Sequence, residues 1–86
     1  MNINDLIAIV KKKLESQISL QDIIIEDKSF LHKGHKGNEE NKFHIKISIT
    51  SLELSKLSKI QSNKKIYKIL KNELNEYIHS IQILIN

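Results

Sequence analysis

The chain has 86 residues, a formal charge of +4 at neutral pH, and neither cysteine nor proline. That length allows one domain and leaves no room for a catalytic cleft beside a separate cofactor-binding unit. With 40% hydrophobic and 28% charged residues, the composition is that of a globular protein and excludes a disordered one. Without cysteine there is no disulfide and no intrinsic thiol chemistry, so a metal ligand has to be His, Asp or Glu, or come from a partner. The positive charge is carried by lysine alone. Arginine, the side chain suited to bidentate phosphate and guanine contacts, is absent, so net charge does not by itself indicate a nucleic-acid binder. The opening MNINDLIAIVKKK places an acid ahead of a five-residue apolar run, unlike a secretory signal, and no stretch reaches the apolar length of a membrane span. A soluble cytoplasmic protein is expected.

Leu6, Ile7, Val10 and Leu14 recur at helical spacing and predict a helix near residues 4–15. Asn4 is its expected cap, Asp5 suits the positive end of the helix dipole, and Lys11, Lys12 and Lys13 turn toward water. The stretch 20–27, centred on Ile23-Ile24-Ile25, is short, β-branched and closed by acids, which predicts a strand. Residues 28–42 hold both glycines, Gly34 and Gly37, with Asn38 and Asn41, and predict a long flexible loop. Over 43–51, Phe43, Ile45, Ile47 and Ile49 alternate with His44, Lys46, Ser48 and Thr50, the pattern of a strand with one buried face. Ser58 and Gln61 form a capping-box signature that opens one long helix over 58–76, carrying Ile66, Tyr67, Leu70, Leu74 and Tyr77 inward. The last strand, 78–85, sets His79, Ile81, Ile83 and Ile85 on one face against Ser80, Gln82 and Leu84. The result is a single α/β domain over residues 1–86, in the order α-β-β-α-β. A right-handed crossover lays its helices over one face of a three-stranded mixed sheet, giving two layers.

This order brings the histidines together. If strands one and two are antiparallel and strands two and three parallel, the end of the first strand and the starts of the other two share one edge of the sheet. His32 and His35 follow the first strand, His44 begins the second and His79 begins the third. Imidazole suits Zn, Fe, Cu and Ni, and a mononuclear site needs three or four ligands. Each residue also has a plainer reading. His44 falls on the polar face of its strand and reads first as a surface histidine, His79 first as a partly buried core histidine, and His32 and His35 as loop residues.

Several segments resemble the BolA family. Asp27-Lys28-Ser29-Phe30-Leu31-His32 is similar to its D-E-S-x-x-H motif, and Phe43-His44-Ile45-Lys46-Ile47 to its T/S-H-F-x-V strand. Ile66-Tyr67-Lys68-Ile69-Leu70-Lys71-Asn72-Glu73-Leu74, followed by Ile78-His79-Ser80-Ile81, resembles V-Y-x-x-L-x-x-E-L followed by V-H-A-L. The correspondence runs without a gap from His44 to Ile83, and the matches together cover residues 20 to 85. The resemblance implies a class II KH-like fold. It also implies a non-enzymatic protein that is a monomer alone and a heterodimer with a monothiol glutaredoxin. The pair would share a glutathione-linked [2Fe-2S] cluster in iron–sulfur handling or iron and redox regulation. The family ligand positions fall on His79 and His32, with His35 and His44 as further possible donors. Thiolates would come from glutaredoxin and glutathione, so no cluster should be tightly bound by the chain alone. Two family signatures differ: F-x-G is Leu54-Ser55-Lys56 here and R-H-R is Ser62-Asn63-Lys64.

The competing reading is a nucleic-acid-binding transcriptional regulator, since KH-like folds bind single strands. Gly34-His35-Lys36-Gly37 spells GXXG, but between two strands rather than two helices, and the lysines at 56, 59, 64, 65, 68 and 71 make a basic helix that a solvated face also explains. A small hydrolase or zinc enzyme finds no support, for there is no nucleophile motif, phosphate loop or HExxH.

Overall fold

A computed structural model describes residues 1–29 and 42–86. The elements in order are α1 (Ile3–Gln17), β1 (Asp22–Asp27), β2 (Phe43–Thr50), α2 (Leu52–Ser55), α3 (Lys59–Ile69), α4 (Lys71–Glu76) and β3 (Ile78–Ile85). The flexible loop expected over 28–42 lies, for residues 30–41, outside the described residues. The rest is the expected α/β arrangement with three refinements. The side chain of Asn2, not Asn4, caps α1, its Oδ1 accepting the Asp5 N–H at 2.8 Å. A short helix, α2, follows β2, capped by Ser51. The long helix is interrupted at Leu70, whose backbone relaxes to φ −97° and ψ 16°. Its hydrogen-bond ladder nevertheless continues, Leu70 N–H donating to Ile66 O at 3.0 Å and Leu74 N–H to Leu70 O at 2.8 Å, so the interruption is a kink and not a loop. Ser58 and Gln61 form the expected capping box.

β2 is the central strand. β1 pairs with it antiparallel, Ile25 opposite Ile47, and β3 pairs with it parallel, Ile47 opposite Ile83. Ile45, Ile47 and Ile49 point to one face, where Leu6, Val10 and Leu14 of α1, Leu54 of α2, and Ile66 and Leu70 close over them, all essentially inaccessible to water. Burying one such side chain contributes roughly 1.5–3 kcal/mol, so this single apolar layer is what sustains a domain of this size. Tyr67, expected inward, is 43% exposed because its neighbour Ile66 takes the core position on that turn.

Two polar ties join distant parts of the chain. Lys13 on α1 donates to the Glu73 carboxylate on α4 with Nζ–O distances of 2.9 and 2.8 Å, and the Glu73 side chain is only 8% exposed. Glu53 on α2 accepts the Ser19 N–H at 3.1 Å and the Lys65 ammonium at 2.6 Å, which fastens α2 to the α1–β1 turn and to α3. Those two donors hold the Glu53 carboxyl below its ordinary value of 4.5, Lys65 contributing most and a small desolvation opposing it.

Candidate functional site

The end of β1 and the starts of β2 and β3 do share one edge of the sheet, as the antiparallel and parallel pairings require. The backbone there is closely stitched. Ser29 N–H donates to Asp27 Oδ1 at 2.9 Å, and the Ser29 hydroxyl accepts the His44 N–H at 3.1 Å. Lys28 N–H donates to the His44 carbonyl at 2.7 Å, and Phe43 N–H to the Tyr77 carbonyl at 2.8 Å. The described residues that bound 30–41 are thus Ser29, tied to β2 through His44, and Lys42, which directly precedes β2.

Two of the four candidate histidines lie at this edge among the described residues, and His32 and His35 fall within the segment outside them. His44 is half-buried, on the face of β2 opposite the core, with its Nδ1 shielded from solvent. Its register partner on β3 is Ser80, whose hydroxyl oxygen is buried as well.

His79 corrects the expectation from alternation. It was placed on the face of Ile81 and Ile83, yet it is exposed. The cause is a bulge: Phe43 pairs with Ile78 while the next residue, His44, pairs with Ser80, leaving His79 as an extra residue on β3. In a regular strand Ile78 and Ile81 would face opposite sides. The extra residue lets both join the core, Ile78 at 3% exposure, and leaves His79 on the exposed side of the strand. The signal was present in the sequence, since buried-type isoleucines three apart at 78 and 81 do not fit a period of two. Among the described residues no group of three or more His, Cys, Asp and Glu is arranged to hold a metal ion. His44 and His79 thus do not complete a mononuclear set by themselves.

Away from this edge, Lys13, Gln17, Lys65, Lys68 and Ile69 line a groove of about 490 Å³ between α1 and α3. Two of its lysines are already engaged by Glu73 and Glu53. No described helix is long and apolar enough to cross a membrane.

The chain shares 31% identity over 75 residues with the DNA-binding transcriptional regulator BolA of Haemophilus influenzae, covering 87% of this chain and 70% of that protein. It is 26% identical over 78 residues to the chloroplastic protein BOLA1 of Arabidopsis thaliana, of which it spans 49%. Among solved structures it resembles the BolA domain of SufE1 from Arabidopsis thaliana, with a TM-score of 0.79 at 24% identity, covering all of this chain and 93% of the other. BolA1 from the same plant gives 0.78 at 24% identity, covering 92% and 87%. The family model described as BolA-like protein matches residues 14–86, and with it the motifs around β2, the kinked helix and the bulged strand: the chain belongs to the BolA family.

Proposed function

We propose that this chain is a non-enzymatic, cytoplasmic partner of a monothiol glutaredoxin, sharing a glutathione-linked [2Fe-2S] cluster through His79 and His32. The observation that carries the reading is the exposure of His79 on the bulge of β3, at the edge where the segment bearing His32 and His35 begins and ends. The donor set fits such sharing. With no cysteine the chain offers imidazoles only, so the thiolates have to come from the glutaredoxin and glutathione. When bound, the cluster supplies one-electron chemistry and a transferable iron–sulfur unit, with a potential raised by histidine ligation. The residues of this chain hold and orient: the hydrogen bonds through Ser29 and His44 fix the base of the ligand segment, and the bulge presents His79 without drawing on the core.

The test is reconstitution with a monothiol glutaredoxin, glutathione, ferrous iron and sulfide, followed by visible circular dichroism. The protein alone is expected to be colourless and folded. His79→Ala should change the spectrum of the complex and speed cluster loss, and His32→Ala should do so less, because His35 stands nearby in sequence as a substitute. A complex that stays coloured with an unchanged spectrum in both variants refutes histidine ligation.

The second reading, nucleic-acid binding, draws on the name of the Haemophilus influenzae relative and on the exposed Lys64 and Lys68 of α3. It calls for single-stranded DNA binding that falls steeply with salt. Binding absent at low salt removes it.

A further inference from the structure

The two outer strands of the sheet are built differently. A strand at the edge of a sheet offers unpaired backbone groups to any other strand, and proteins blunt such edges with charge, proline or bulges. β1 is blunted, since three of its six residues, Asp22, Glu26 and Asp27, are acids. β3 is not. Its eight residues, IHSIQILI, contain no charge, no proline and no glycine, and are rich in β-branched side chains. The bulge at His79 disturbs only its beginning, for the register from Ser80 to Ile85 is regular and Asn86 still donates its N–H to the Ile49 carbonyl at 2.8 Å. Among the described residues no strand pairs with the outer side of β3. On that edge Ile81, Ile83 and Ile85 pack against the core but keep part of their surface open, and Leu84 is 47% exposed on the other face.

We propose that β3 pairs antiparallel with β3 of a second copy of this chain, joining two three-stranded sheets into one of six. A two-fold axis perpendicular to the sheet keeps both helical layers on the same side and lets only same-face residues oppose each other. The register that satisfies this and uses the whole regular stretch sets Ile83 opposite itself, Ile81 opposite Ile85, Gln82 opposite Leu84 and Ser80 opposite Asn86. No opposed pair sets charged side chains against each other, and the core-facing row is isoleucine throughout. Pairing β1 with β1 would set a strand carrying three acids against itself, and pairing β1 with β3 would leave an open edge at each end and build a fibre, not a closed dimer. The contact is small. Seven residues at about 3.4 Å each, one layer of roughly 10 Å deep, cover roughly 250 Å² per copy. That lies far below the about 800 Å² per partner of a standard stable interface, so the dimer is weak and forms only at high protein concentration.

Sedimentation velocity of the full chain from about 10 µM to about 1 mM should show dimer rising with concentration. Gln82→Lys/Leu84→Lys alters two exposed positions that face each other across the axis, placing like charges in direct opposition. It should weaken association at least tenfold while the variant stays folded by far-ultraviolet circular dichroism, as should Gln82→Glu/Leu84→Glu. Because Gln82 lies beside Lys46 on β2, the melting temperatures of the two variants differ and association is compared below both. An equimolar mixture of the two variants should associate again. A wild-type chain that stays monomeric throughout, a dimer indifferent to the lysine variant, or a mixture that fails to associate overturns the proposal.

Discussion

Deleting His79 tests whether the bulge holds the core together. Without the extra residue, β3 has to choose between the register of Ser80–Ile85 and the burial of Ile78, which is 3% exposed. Turning a buried isoleucine out of the core loses roughly 1.5–3 kcal/mol of transfer free energy, and the space left behind brings the total for such losses to about 2–5 kcal/mol. For a domain of this size each kcal/mol moves the melting temperature by about 4–8 °C, so a loss near 3 kcal/mol corresponds to roughly 12–24 °C. Against a total stability of about 5–15 kcal/mol this approaches unfolding. His79→Ala keeps the residue count and changes only an exposed side chain, for which about ±0.5 kcal/mol and a shift of about 2–4 °C at most are expected. Thermal melts of both variants by far-ultraviolet circular dichroism make the comparison. A deletion no more destabilising than the alanine substitution would show that Ile78 does not depend on the bulge.

Lys13→Met leaves the Glu73 carboxylate buried without its ammonium and should cost about 2–3 kcal/mol in urea melts. Lys13→Met/Glu73→Leu should recover most of that, and strictly additive single effects would mean the pair is not coupled. Glu53 predicts a pH effect. Its folded pKa lies below the ordinary 4.5, so its contribution is fully present above that value and is lost as pH falls through the folded pKa. The stability gap between wild type and Glu53→Gln should therefore be largest near neutral pH and close in acid, and a gap that widens on acidification would contradict the assignment.

Most of the architecture was legible because its signals are local. The alternation of Phe43–Thr50, the spacing of Leu6, Val10 and Leu14, and the Ser58–Gln61 capping box each report their own element. Element order then sufficed to place His44 and His79 at one edge. Signals that failed were set by tertiary context. Asn2 and Asn4 are equally good caps by type, and only the position of the first turn chooses between them. Tyr67 and Ile66 compete for one core position, which the sheet decides. The face of His79 was misread because strict alternation assumes no inserted residue, although the three-residue step from Ile78 to Ile81 was available to be read. The Lys13–Glu73 tie spans sixty residues and has no sequence signature at all.

That last contact bears on how long the folded state persists. Lys13 and Glu73 meet only when α1 and α4 are both in place, so the bond belongs to the contacts of high sequence separation, whose loop-closure entropy has to be met before they form. An interaction absent from the transition state leaves the folding rate nearly untouched and slows unfolding instead. If the bond forms after the transition state, Lys13→Met should speed unfolding and shorten the half-life at high temperature while leaving the refolding rate nearly unchanged.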